Sequence, residues 1–214
     1  MLFSREITLT YPDGDGQLVV LDEVSFDAKI GVTALVGPSG SGKSSLLRVL
    51  SGLQAADAGT VRIGEESFDC RDAGEGHPRA IYIPQDFQLV PFLTAEENIR
   101  LAAEIRRQPV PDVGELLALV GLAGLAGRRP GQLSGGQQQR LALARALSVS
   151  ASVLMPDEPT GSLDAATSAE IAHVLHEVAW AGQRAIVVAT HDEAVVQQAD
   201  AVVEVHSGTV CRVR

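Results

Sequence analysis

Apolar side chains recur along this chain with two different periods, and the switches between them outline its elements. Residues 6–10 and 18–28 read as two β segments around the turn Pro12-Asp13-Gly14-Asp15-Gly16. Residues 32–36 are almost all apolar, the pattern of a short strand buried in a parallel sheet. A Gly-rich loop and a helix over 43–51 follow, then strands at 60–63 and 80–83. Between those two strands, 65–78 is polar and Gly-containing and is expected to be mostly loop. The period then becomes helical. Thr94 caps a helix that opens on Glu96 and Glu97, runs through Arg107 and is broken by Pro109 and Pro111. Further helices are expected at 113–120 and 135–147. Strand and helix alternate again: strand 151–155, helix 165–180 with Ile171, Leu175 and Val178 on one face, strand 184–189, helix 192–198 and strand 201–206. Ser207-Gly208 turns into a last strand at 209–213. This succession predicts one α/β domain, with core segments 1–88 and 149–214 and an inserted helical subdomain at 89–148.

Composition narrows the picture. The 214 residues suit one domain with a real core, 45% of them being hydrophobic. The formal net charge of -10 counts against broad nucleic-acid binding and against direct adsorption to anionic membranes. Cys70 and Cys211 lack metal-type spacing and are expected to be reduced thiols. Residues 1–10 lack the apolar run of a signal peptide, and no apolar stretch approaches the roughly 20 residues that span a bilayer. Any membrane contact is therefore expected to run through a partner.

Three motifs carry chemistry. Gly37-Pro38-Ser39-Gly40-Ser41-Gly42-Lys43-Ser44 is a complete P-loop between a strand and a helix. Its glycines let the backbone approach phosphates, Lys43 is placed for the β- and γ-phosphates, and the Ser44 hydroxyl is a Mg²⁺ ligand. Val153-Leu154-Met155-Pro156-Asp157-Glu158 is an apolar strand ending in two acids. Asp157 is placed to hold Mg²⁺ through a water, and Glu158 to orient or deprotonate an attacking water. Leu133-Ser134-Gly135-Gly136-Gln137 sets backbone N–H groups at a helix N-terminus, a second anion site. Pro156 removes a ladder donor from an expected central strand, and is expected to be tolerated at that strand's exit. His173 and His176 share a helix face at a spacing of three, without a third ligand, and a solvated face is the expectation.

Together these motifs resemble the nucleotide-binding domains of ATP-binding cassette (ABC) proteins, in the family's order and over essentially the whole chain. The resemblance implies a P-loop NTPase of ABC type, with a mixed central sheet, an N-terminal antiparallel β part and the inserted helical subdomain. It makes 37–44 with Ser45 the Walker A segment, 133–137 the signature, and 153–157 with Glu158 Walker B. It also assigns Tyr11 to stacking on adenine, worth on the order of 1–3 kcal/mol, although a turn-flanking tyrosine is the plain alternative. Gln85 would touch Mg²⁺ and the attacking water, and His191 the γ-phosphate. Ser134, Gly135, Gly136 and Gln137 would grip ATP bound to a second chain, and Asp164, in Ser162-Leu163-Asp164, would communicate across that pair.

Residues 89–99, 129–133 and 160–164 look most like the branch of lipoprotein-releasing, macrolide-exporting and cell-division cassettes. The resemblance implies an ATPase with ATP and Mg²⁺ as cofactors. Its partners would be a second copy or a similar ATPase chain, and a separate transmembrane permease. It would sit in the cytoplasm at the inner face of the membrane. The alternative is a soluble cassette ATPase of DNA repair, chromosome structure or translation. Long coiled coils or a second cassette would mark that class, and 1–214 contains neither. A regulatory scaffold that barely hydrolyses ATP is disfavoured by the intact Lys43, Asp157, Glu158 and His191.

Overall fold

The computed structural model describes every residue except Asp15 and Ser162, so those two members of the expected turn and of the 162–164 loop lie outside the described residues. Strands β1 (Leu2–Asp13) and β2 (Gly16–Ala28) form an antiparallel hairpin longer than the sequence pattern suggests. The reason is a register shift between Ser4 and Ile7, around Glu6 at φ 52°. Buried positions run Leu2, Ser4, then Ile7, Leu9, so the bulge breaks the alternation that a sequence reader follows. Strand β4 (Ala58–Ile63) pairs with β1 on its other side, and β5 (Glu66–Asp69) pairs with β4. The expectation of mostly loop at 65–78 is corrected here. β5 is a short edge strand whose Glu66 and Ser67 are exposed, and no apolar pattern advertises it.

The second sheet has the order β10 (Thr209–Arg212), β9 (Ala201–His206), β3 (Gly31–Val36), β8 (Ala185–Ala189), β7 (Val153–Pro156), β6 (Ala80–Ile83). All its pairings are parallel except β10 with β9. Its interior strands are buried on both faces. Val32, Ala34 and Leu154 enter one apolar cluster, while Leu35, Val153 and Met155 enter the other. The second cluster also holds Leu46, Leu47, Val49 and Leu50 of α1 (Lys43–Leu50) and Leu2, Ile7 and Val61 of the first sheet, so α1 joins the two sheets.

Helices α2 (Ala95–Ile105), α3 (Val113–Leu119) and α4 (Gly135–Leu147) lie between β6 and β7 in the chain. Their Ile99, Leu117 and Leu141, with Leu122 just after α3, belong to the same cluster as Leu154, Ile186 and Ile171. Helix α2 ends two residues before Arg107, which takes φ 53°. Helix α5 (Ala165–Ala181) buries Ile171, Leu175 and Ala179, with Val178 only partly covered; α6 (Glu193–Gln198) packs on it.

β7 ends at Pro156, the strand exit where the proline was expected to be tolerated, although isolated backbone bonds continue past it. Pro156 pairs with Ile83, the Asp157 N–H donates to the Ile83 carbonyl at 2.9 Å, and the Glu158 N–H donates to Ala189 at 2.9 Å. Odd-numbered residues of β7 bond toward β6 and even-numbered ones toward β8, so the missing donor of Pro156 faces β8. That ladder indeed lapses after Leu154 and resumes as a bridge between Asp157 and Ala189. Among the described residues no helix is long and apolar enough to cross a membrane.

Candidate functional site

The carboxyl ends of β3, β8, β7 and β6 are neighbours, and each delivers one part of the site, the general location of ligands in open α/β sheets. From β3 the chain passes through the loop 37–42 into α1. Gly42 takes φ 101°, and a Cβ there would lie 2.8 Å from the Val20 carbonyl, so only glycine makes this turn. The buried Lys43 lies under the loop, its Nζ donating to the carbonyls of Gly37 at 2.8 Å and Pro38 at 2.9 Å. Pro38, Ser39 and Gly40 form the exposed tip; Ser44 is exposed and Ser45 half-buried at the start of α1. The Ser41 hydroxyl is buried without a hydrogen-bond partner among the described residues, an unsatisfied donor that suits an anion in the loop.

At the end of β7, Asp157 is buried and Oδ2 accepts a 2.8 Å hydrogen bond from the hydroxyl of Tyr82 on β6. Burial, with the bond to Asp157, pushes the Tyr82 phenol up to about 12 against the opposing pull of Arg48, so it stays a donor at neutral pH. Arg48 Nε reaches the same oxygen at 3.4 Å. Glu158 adopts φ 51°, a left-handed conformation costing a non-glycine residue about 1 kcal/mol. Its carboxylate Oε2 lies 2.9 Å from Nδ1 of His191, an ion-pair approach without hydrogen-bond alignment. The His191 side chain is 74% exposed against 15% for Glu158, so the imidazole covers the acid from the solvent side. Beyond it, Asp192 caps α6 through the Ala194 N–H at 2.8 Å. Burial alone would raise the Asp192 carboxyl, but hydrogen bonds from Ser168 and Ala194 and the nearby His191 leave it below its ordinary value. Gln85 is exposed in the turn after β6, and its side chain makes no hydrogen bond among the described residues.

Ser44, Asp157 and Gln85 offer oxygen donors of the kind Mg²⁺ takes. Among the described residues no cluster of three His, Cys, Asp or Glu side chains forms a closed metal site. Few protein ligands, completed by water and phosphate, is the pattern that fits Mg²⁺. Tyr11 stands exposed on β1, its hydroxyl accepting from Gln54 Nε2 at 2.6 Å, which fixes the ring's outer edge.

The signature segment is built differently. Ser134 is the N-cap of α4, its Oγ accepting from the Gln137 N–H at 3.2 Å while Gln137 Oε1 accepts from the Ser134 N–H at 2.9 Å. That capping box leaves the N–H groups of Gly135 and Gly136 without a partner among the described residues. A Cβ on Gly136 would sit 2.6 Å from Cδ2 of Leu163, so the signature lies directly against that side chain. None of Ser134, Gly135, Gly136 or Gln137 hydrogen-bonds to the P-loop or to His191 among the described residues. Asp164 accepts from the N–H groups of Ala166 and Thr167 as the cap of α5, and those bonds, the Thr167 N–H first, lower its carboxyl.

Sequence reasoning missed Tyr82, Gln139 and Arg145. Gln139 of α4 donates from Nε2 to the Glu158 carbonyl at 3.2 Å. The Arg145 guanidinium holds the carbonyls of Phe87 and Gln88, both at positive φ, at 2.7 and 2.6 Å. One signal was available in each case. A tyrosine in a core strand, or a Gln and an Arg on the apolar face of a helix, needs a buried polar partner.

Comparisons with known proteins agree with this geometry. The chain is 38% identical over 221 residues to the macrolide export ATP-binding/permease protein MacB of Escherichia coli (strain K12), covering 99% of this chain and 34% of that protein. It is equally 38% identical over 219 residues to MacB of Burkholderia thailandensis, covering 98% of this chain and 33% of that one. The chain thus spans about a third of the length of these relatives. Among solved structures it resembles the dimeric structure of the bacterial ABC transporter cassette MJ0796, with TM-score 0.89, 29% identity, and coverage of 100% and 99% of the two chains. A dimeric post-hydrolysis state of MJ0796 bound to ADP and Pi gives TM-score 0.88 at 29% identity, with the same coverage. Residues 21–161 match the model of the ABC transporter family, and the chain belongs to that family.

Proposed function

We propose that this chain is the ATP-hydrolysing part of an ABC transporter or mechanotransmission complex, and that it works as a pair closed over two ATP molecules. The observation that carries this reading is the convergence of Lys43, Asp157, Glu158 and His191 at the ends of adjacent parallel strands. Tyr11 supports the adenine, the loop 37–42 wraps the phosphates, and Lys43 exchanges its carbonyl partners for β- and γ-phosphate oxygens. Ser44, Asp157 and Gln85 hold Mg²⁺, partly through water. Bound there, Mg²⁺ would supply charge neutralisation to the phosphates. Glu158 takes the proton of the attacking water, and His191 orients Glu158 and faces the γ-phosphate. The unpartnered N–H groups of Gly135 and Gly136, with Ser134, serve the nucleotide of the partner chain. The dimeric architecture of the MJ0796 cassette supports that arrangement, and Asp164 is the proposed point of communication between the two chains.

MacB is described as an ATP-binding/permease protein, and a permease is the proposed membrane partner here too. The ATPase would then work at the inner face of the membrane, coupled through the segment from Gln85 to α2. Glu158→Gln tests the chemistry. Hydrolysis should fall at least about 100-fold, the scale of general-base catalysis, while ATP now holds two chains together in size-exclusion chromatography. Hydrolysis at the unsubstituted rate would remove Glu158 from the base role.

A further inference from the structure

We propose that Gln139 is a positioning residue for hydrolysis: from the signature helix it fixes the backbone of Glu158 in the same chain. Seating of the partner's nucleotide on that helix would thereby reach the base of the chain's own site. The inference rests on the proposed roles of Glu158 and of the signature.

Four observations carry it. Gln139 is buried, two residues beyond the signature in the first turns of α4, and its Nε2 donates to the Glu158 carbonyl at 3.2 Å. Glu158 stands at φ 51°, so its peptide is held in a conformation that a relaxed strand end would leave. Only a few bonds restrain it: its N–H on Ala189 at 2.9 Å, and its carbonyl shared between Gln139 and the Gly161 N–H at 3.3 Å. A cavity of about 10 Å³, bordered by Ile83, Leu143, Pro156 and Asp157, lies between α4 and the end of β7. Beside the apolar contacts that α4 makes in this cluster, the Gln139 bond is a directional polar tie from the helix to the Glu158 backbone. Ser134 and Gln139 belong to one continuous hydrogen-bonded helix, which gives displacement at its N-terminus a direct path to Gln139.

The test places Gln139→Leu, which keeps the side chain's size and removes its donor, in defined pairs of chains isolated through two different affinity tags. The reference pair has one unsubstituted chain and one carrying Glu158→Gln, leaving one hydrolysing site. When Gln139→Leu is added to the chain with intact Glu158, turnover should fall about ten-fold with the KM for ATP within two-fold. When it is added instead to the Glu158→Gln chain, turnover should stay within two-fold of the reference, because the surviving base keeps its own Gln139. Equal slowing in both arrangements would overturn the proposal, since the substitution would then act by damaging the helix that serves the partner. No slowing in either would also overturn it. Gln139→Glu, which keeps the shape and presents oxygen to the carbonyl, is run in parallel and should reproduce the slowing in the first arrangement, whichever variant is the more stable. If pairs with Glu158→Gln on both chains hydrolyse ATP at the unsubstituted rate, the base assignment itself fails, which is a different result from any of these.

Discussion

Lys43 lies buried beneath its loop with its ammonium on two carbonyls, whereas Ser134 stands exposed at the tip of α4 with its hydroxyl on the helix's own N–H. The first region is assembled from four strand ends that lie side by side, and its polar groups touch one another: Tyr82 on Asp157, His191 against Glu158. The second region is the signature at one helix end, satisfied internally by a capping box; among the described residues 134–137 make no hydrogen bond to the first, and the link is Gln139 just beyond them. A set of groups that is complete in one chain and a set that faces outward with two spare N–H groups are different kinds of object. On the proposed reading the first binds nucleotide within one chain, and the second serves the nucleotide of a second chain.

That contrast is best broken by substitutions that hit one region only. Lys43→Ala removes the charge that meets the phosphates, so ATP affinity of the isolated chain should fall at least about ten-fold, together with turnover; titration with a fluorescent ATP analogue measures it. Ser134→Arg should leave that titration within two-fold and still lower turnover more than about ten-fold, because its target is the partner's ATP. Equal loss of binding in both variants would erase the distinction between the regions.

A smaller effect separates the acids from their supports. Tyr82→Phe deletes one hydroxyl and leaves Asp157 to find a new donor. The Mg²⁺ concentration for half-maximal nucleotide binding should rise about three-fold, the scale of a single net hydrogen bond. An unchanged Mg²⁺ titration would reduce the Tyr82–Asp157 contact to packing.

The smallest effects are on stability. Ser134→Ala and Asp192→Ala each remove an N-cap and should cost about 1 kcal/mol. Their pH dependence should differ. The folded Asp192 carboxyl is held below its ordinary value, so its stabilising contribution is full above that value and fades as pH falls through the folded one. The gap between Asp192→Ala and the unsubstituted protein in thermal melts should therefore close on going from pH 6 to below about pH 4, while the Ser134→Ala gap stays constant. Parallel behaviour of the two gaps would mean that the Asp192 charge contributes nothing.

Much of this was legible because it is local. The P-loop and the signature are continuous stretches whose residue pattern is read within ten residues, and the interior strand at 32–36 has apolar side chains facing both layers. What escaped depends on distant partners. β5 is polar because it is an exposed edge, Glu6 shifts the phase of β1, and Pro156 keeps pairing with β6 because its missing donor faces the other neighbour. The buried Gln139 and the half-buried Tyr82 and Arg145 are polar groups whose partners are 19, 75 and 57 or 58 residues away along the chain, beyond the reach of any local pattern.

The central claim is that each working site combines the strand-end groups of one chain with the signature of another, and complementation tests it most directly. Chains carrying Ser134→Arg and chains carrying Lys43→Ala, each inactive alone, are mixed in equal amounts and ATP hydrolysis is followed. Mixed pairs then contain one intact composite site, Lys43 from one chain and Ser134 from the other, so activity should reappear, up to about a quarter of the unsubstituted level by random pairing. Activity no greater than the sum of the two separate variants would contradict the account.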